Sequence, residues 1–418
     1  MTAFRIAFQK VTPQQVFMVS TLVVNGGNYL YNLLLGRFLG PEAFAEAALL
    51  ITLLLVLSFI GMTFQLTTTK FAVQFSDETW VVFKNTIYRY ALFFGILSGG
   101  LIIGFSKYLK TIFNVQSHWI FIIFAVAVPL YFVMSVNRGK FQGRQEFEKL
   151  AATYQTEMWG RLILTFTLLY FVPLPSSILI AIGIGLSFIV GFIPSDLRTV
   201  KIFSEARLDK KDLVKVWAFI GLTAGYEFTQ IIINNSDILL VKHYFNATEA
   251  GLYASLALIG RVVYFVAWMF VMLLLPTVIQ KKKDGEATAP VLFKYILFIG
   301  ILSTCIVGLC YMIPEIIIGL MFGDAYLSMA PLLWQYALAT SLFAISNIFA
   351  YYFLSLDKYV PVILSGLLGL SQIVLIVLFH SSLLIVVQMQ IIVMLFLLVA
   401  QLIFFSYQIS KPDLKINQ

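Results

Sequence analysis

At 418 residues, of which 60% are hydrophobic and only 11% charged, the chain excludes a water-soluble domain, which with that balance exposes large apolar patches and aggregates. The net charge of +8 raises nucleic acid as a partner. However, the basic residues lie beside apolar stretches, where they meet anionic lipid headgroups, and no nucleic acid is expected. What remains is a multi-pass, all-α membrane protein.

About 20 apolar residues cross a bilayer, and about twelve such stretches follow one another: 13–37, 42–66, 86–108, 118–138, 149–172, 176–195, 216–244, 249–279, 288–313, 328–353, 359–380 and 382–407. Met1–Lys10 is basic, but no cleavage site follows the first stretch, so a retained span is expected rather than a removed signal. Asn25-Gly26-Gly27-Asn28 falls in mid-span one. Paired glycines there ease bending, so Gly26 and Gly27 are candidate hinge residues; close helix packing is the equal alternative. After span two, FAVQFSDETWVVFK (71–84) is expected at the membrane surface, anchored by Trp80 and Phe83. Pro129 is expected to kink span four.

Segment 196–215, DLRTVKIFSEARLDKKDLVK, mixes apolar and basic residues as an amphipathic surface helix does. It divides the chain into an N-terminal lobe (1–195), a basic cytoplasmic linker (196–215) and a C-terminal lobe (216–418), with six spans each side. A weak repeat agrees with this division. LGRFLGPEAFAEAALL (35–50) aligns with VKHYFNATEAGLYASLAL (241–258), placing Phe38 on Phe245, Glu42 on Glu249 and Ala43 on Ala250.

With a cytoplasmic N-terminus, 22 of the 28 basic residues fall in the inner loops. The inner clusters include Arg138, Lys140, Arg144 and Lys149 after span four, whereas the outer loops hold only Arg37, Lys107, Lys110 and Lys242. The positive-inside rule therefore places both termini in the cytoplasm. Several chemistries lack their residues. No G-x-x-x-x-G-K phosphate loop occurs, no H-E-x-x-H or cysteine cluster suggests a metal, and the three histidines have no Ser/Asp companions. Neither of the longest loops can hold a catalytic domain. The expectation is a transporter-like bundle, not an enzyme, with no resident cofactor or metal.

The turn GRFLGPEAFAEAA (36–48), the stretch NRGKFQGRQEFEKLAATYQTEMWGRL (137–162) and NNSDILLVKHYFNATEAGLYASLALIGR (234–261) resemble the polysaccharide flippases. These are the lipid-linked oligosaccharide translocases of the multidrug/oligosaccharidyl-lipid/polysaccharide exporter superfamily. The match is good over about 13–280 and rests on hydropathy beyond. Phe44-Ala45 departs from the family's aromatic-glycine pair, which the second half keeps as far as its glycine, Gly251. The resemblance implies two six-helix lobes around a central cavity that opens alternately inward and outward. It also implies a polyprenyl-pyrophosphate-linked oligosaccharide as substrate, carried across the cytoplasmic membrane for surface polysaccharide synthesis. The protein is then a monomer among membrane lipids, beside polysaccharide polymerase and chain-length partners.

Carrying a pyrophosphate through lipid calls for basic residues at depth, where a charge costs about 2.5–3.5 kcal/mol. Arg161 and Arg261 each lie roughly 12 residues into a span, near 18 Å depth. Glu157 sits four residues before Arg161, so a phosphate ligand and an intrahelical pair are both open. Arg261 has no acid three or four residues away and is favoured as a cavity residue, so Arg261→Ala is expected to abolish transport while leaving insertion intact. Arg89 and Lys70, nearer the inner ends, are candidates for substrate capture or for snorkelling to headgroups. Span seven carries Glu227 and Asp237, the latter after Asn234 and Asn235. Together with Glu157 they are candidates for coupling to H⁺ or Na⁺. For Asp237 the alternative is a salt bridge to Arg261 across the hairpin of spans seven and eight. Two other functions compete: a cation-coupled multidrug exporter of the same superfamily, and a membrane-embedded enzyme of glycan assembly. The first calls for an acidic cavity, against which the deep arginines argue.

Overall fold

The structure, a computed structural model, describes residues 13–195, 200–202, 204, 206–264, 274, 278, 281–282, 284–356, 358 and 360–409. Among them every regular element is helical. In chain order these are α1 (Pro13–Gln74), α2 (Asp77–Gly104), α3 (Ser106–Ile112), α4 (Trp119–Gly143), α5 (Phe147–Phe171), α6 (Ser176–Val190) and α7 (Lys210–Tyr244). They continue with α8 (Ala247–Gly260), α9 (Ala289–Met312), α10 (Pro314–Met321), a 3-10 helix (Asp324–Met329), α11 (Ala330–Ser355), α12 (Val360–Leu378) and α13 (Leu383–Ile409).

Among the described residues, eight helices are long and apolar enough to cross a membrane, against the twelve spans expected of the whole chain. The two first spans fall within α1, on either side of Gly40, whose φ of 73° and ψ of 172° break the helix. Pro41 follows at a position where its missing N–H costs nothing. The helix α5 carries Glu148, Glu157 and Arg161, which lower its hydropathy, and α6 has only 15 residues. Most of the expected span 249–279 beyond Tyr264 lies outside the described residues, as do both ends of the chain.

The chain forms two compact units. One comprises Met1–Asn32 and Leu49–Phe228, the other Leu33–Ala48 and Thr229–Gln418. The middle of α1 therefore belongs with the C-terminal helices. There the Tyr326 hydroxyl donates to Gly36 O at 2.7 Å and Arg37 Nη1 donates to Leu320 O at 2.5 Å. Phe44 is buried against Phe322 and Tyr326, and Lys242 lies within electrostatic reach of Glu46 and Glu42. The two halves of the weak repeat turn by different devices. Gly40 turns the first, whereas Asn246 caps α8 by accepting from Glu249 N at 2.8 Å. The glycine kept by the second half has a packing role: a Cβ on Gly251 falls 1.7 Å from Pro41 O. A backbone carbonyl cannot yield cheaply, so Gly251→Val is expected to cost about 3 kcal/mol, near the top of the usual overpacking range. Thermal denaturation in detergent measures it, with Gly308→Ala, whose Cβ meets nothing within 4 Å, as the near-neutral control.

Two surface expectations are corrected. Trp80 and Phe83 are buried, because α1 runs on to Gln74 and α2 begins at Asp77. The two rings thus turn inward against each other, and Phe83 packs on Phe71 and Phe75 at 5.4 Å each. The amphipathic helix expected over 196–215 is not present among the described residues: those within 200–209 hold no helix, 196–199 lie outside them, and 210–215 form the first turns of α7. Asp209 starts that helix, accepting the Lys210 N–H on its side chain and the Leu213 N–H on its carbonyl.

Candidate functional site

Within the first unit, α4, α5 and the first part of α1 bury a charged cluster. Glu157 has one carboxylate oxygen on Arg138 Nη2 at 2.7 Å and the other on Arg161 Nη2. All three side chains are buried, Arg138 at 4% exposure and Arg161 at 9%. The Glu157–Arg161 pair, one of the two readings left open for Arg161, therefore forms, but with a second cation on the same acid. That second cation corrects the sequence reading, which put Arg138 among the inner-loop charges. It lies five residues before the C-terminus of α4, and its side chain is buried in the bundle. Its Nη2 donates to Thr153 O at 3.0 Å and its Nε to Thr153 Oγ1 at 3.2 Å, and its guanidinium stacks 3.8 Å from the Tyr154 ring. The Tyr154 hydroxyl in turn donates to Gln65 Oε1 at 3.1 Å.

Arg161 is held more loosely. Beyond Glu157 it reaches only Asn28 Oδ1, at 3.4 Å, and its buried Nε has no hydrogen-bond partner among the described residues. Guanidinium carries five donors and no acceptor, so an unmatched one inside an apolar bundle is costly. Two cations against one anion leave the cluster one positive charge in excess.

In the second unit the Asp237–Arg261 hairpin pair, weighed as the alternative, is what forms. Arg261 Nη2 lies 3.1 Å from Asp237 Oδ1, and Arg261 also donates to Asn234 O and Asn235 Oδ1. The Tyr336 and Tyr253 hydroxyls donate to Asp237 Oδ2 at 2.7 and 3.1 Å, and Gln390 Nε2 donates to the Tyr253 oxygen. This cluster is neutral. It lines a cavity of about 30 Å³, room for about one or two water molecules. Gln372, whose buried Oε1 has no hydrogen-bond partner among the described residues, also lines it. The two tyrosines were not singled out in the sequence, because nothing local marks them.

The remaining candidates stand apart from these clusters. Arg89 is half-buried and donates to Ser204 O at 3.5 Å. Lys70 Nζ lies 4.0 Å from the Phe219 ring centroid. Glu227 is half-buried, with no hydrogen bond or ion pair among the described residues. Gly27 seats against Met158, whose Sδ a Cβ would meet at 2.3 Å, while Gly26 faces open space. Both residues continue a regular helix, and the break in α1 is at Gly40 instead. No group of three or more His, Cys, Asp or Glu residues able to hold a metal occurs among the described residues.

A family model described as "Polysaccharide biosynthesis protein" matches residues 34–331. No curated protein sequence matches significantly. Among solved structures, the lipid II flippase MurJ in an inward closed conformation is similar with a TM-score of 0.74 and 15% identity, covering 94% of this chain and 87% of its own. An inward-facing multidrug resistance transporter of the MATE family, in the MOP superfamily, gives 0.75 and 11%, over 92% and 95%. A MOP-superfamily transporter from Pyrococcus furiosus gives 0.56 and 11%, over 96% and 95%. At these identities the likeness is one of fold. Family match and fold together answer to the turn motifs read from the sequence: the chain belongs to the polysaccharide biosynthesis protein family, and its all-helical, multi-pass fold is that of the transporters and flippases of the MOP superfamily.

Proposed function

We propose that the protein is a flippase. It carries a polyprenyl-pyrophosphate-linked oligosaccharide across the cytoplasmic membrane by alternating access, for assembly of a surface polysaccharide. The observation that carries this reading is Arg161, a buried arginine with an unmatched Nε donor in a cluster of net positive charge. A diphosphate supplies the oxygens that such a donor lacks and the negative charge that the cluster needs. The MurJ structure, named for lipid II flipping, has the same fold.

The candidates then divide by role. Arg161 is the phosphate ligand. Arg261 is committed to Asp237 and contributes to substrate binding only when that pair opens. Arg89 and Lys70 serve capture at the inner end. Of the acids considered for H⁺ or Na⁺ coupling, Glu157 and Asp237 hold ion pairs that protonation would have to break, whereas Glu227 holds none among the described residues. Glu227 is therefore the coupling acid we favour, and Glu227→Gln is expected to abolish any dependence of translocation on a proton or sodium gradient while leaving substrate binding within about twofold. Translocation in proteoliposomes with and without the gradient measures it.

Deleting the gene tests the reading in cells. The expected result is loss of the surface glycan with build-up of the finished lipid-linked unit inside. Normal glycan with new sensitivity to cationic drugs would instead favour a multidrug exporter. Incorporation of labelled sugar by the purified protein would favour an enzyme.

A further inference from the structure

Building on the phosphate reading of Arg161, we infer that Arg138 is the positioning residue of that site: it neutralises Glu157 so that the charge of Arg161 is left for the ligand. The geometry points to this division between two arginines that share one carboxylate. Arg138 is the more tightly held of the two, with three hydrogen bonds from Nε and Nη2 and an aromatic ring against its face. It has Glu157 Oε2 at 2.7 Å, the Thr153 carbonyl at 3.0 Å, Thr153 Oγ1 at 3.2 Å and the Tyr154 ring face at 3.8 Å. Tyr154 is itself fixed by Gln65, whose Nε2 donates to Gln142 Oε1 at 2.9 Å. Arg138 therefore cannot turn toward a ligand without breaking a network that joins α1, α4 and α5.

Arg161 has the opposite character. It shares Glu157, makes one long contact to Asn28, and keeps Nε unmatched. A carboxylate paired with one arginine alone forms a neutral unit with no attraction for an anion. A second arginine restores one positive charge. At roughly 7 Å and an effective dielectric near 20, that charge amounts to more than a tenfold change in the affinity of an anionic ligand. The roles thus separate: Arg138 holds, Glu157 aligns, and Arg161 binds. The acid is present because two bare guanidinium groups side by side in an apolar bundle repel each other.

Charge arithmetic on the full-length protein in nanodiscs tests this, with farnesyl diphosphate as the probe and binding measured by calorimetry. Arg161→Gln should lose binding. Arg138→Gln should weaken it roughly tenfold or more, because Glu157 then neutralises Arg161. Arg138→Lys, which keeps the charge but cannot reproduce the fork on Thr153, should bind within about threefold of the parent. The double variant Arg138→Gln/Glu157→Gln, which again leaves Arg161 as the single charge, should recover most of the affinity. Loss of binding in Arg161→Gln with no recovery in the double variant overturns the positioning role and leaves the phosphate reading standing. Unchanged binding in Arg161→Gln overturns the phosphate reading, and the role of Arg138 with it. A monodisperse elution profile for each variant separates lost affinity from lost fold.

Discussion

Arg161→Ala is expected to slow translocation of the lipid-linked oligosaccharide about a hundredfold while costing the helix bundle little. The substitution removes one of two cations from Glu157, and the acid keeps Arg138 at 2.7 Å, so no buried charge is orphaned. What disappears is the free donor. A hydrogen bond to a charged group contributes about 1.5–3 kcal/mol, and two of them to a phosphate are worth roughly a hundredfold or more in binding. Arg161→Lys keeps the charge but not the planar fork, and it should fall between the two. Translocation rates in proteoliposomes, set beside melting temperatures of the same preparations, check both halves of the expectation.

Arg261→Ala should behave in the opposite way, with stability as the main casualty. Asp237 is 2% exposed, and Arg261 is its only cationic partner among the described residues. Removing one member of a buried pair costs about 3–5 kcal/mol, because the other charge stays behind uncompensated. The two tyrosine hydroxyls at 2.7 and 3.1 Å soften that cost without cancelling it. Replacing both members, as in Asp237→Asn/Arg261→Gln, removes the orphaned charge and should recover most of the loss. Melting temperatures in detergent for the two single variants and the double one decide the matter. The sequence led instead to an expectation that Arg261→Ala would spare insertion. Its ion pair, which the sequence offered only as the alternative, is the reason for the change: no acid stands three or four residues away, and the partner is reached across the α7–α8 turn.

That difference marks where the sequence stops being legible. The membrane-spanning helices could be read because apolar runs of about 20 residues have few other uses. The break between the first two spans was marked by Gly40-Pro41, and the Glu157–Arg161 pair by its spacing of four. Arg138 was misread because it sits one turn from the positive cluster of Lys140 and Arg144. A count of basic residues cannot tell a charge that faces the headgroups from one that turns into the bundle. Trp80 and Phe83 were misplaced for a related reason: an aromatic residue at a span end fits a surface anchor and a packed core equally well. The tyrosines around Asp237 lay beyond reach, since α8 and α11 are set around it only by the fold. Gly251 was noticed as a family position, but the carbonyl of Pro41 against it explains why a side chain is excluded there.

The central claim is tested most directly by reconstituting the purified protein with a fluorescent polyprenyl-diphosphate oligosaccharide. The measurement is how fast the labelled headgroup becomes accessible to an impermeant quencher on the far side. The account predicts protein-dependent translocation that Arg161→Ala slows about a hundredfold while the preparation remains folded. No translocation by the parent protein, or translocation at an unchanged rate in Arg161→Ala, would contradict it.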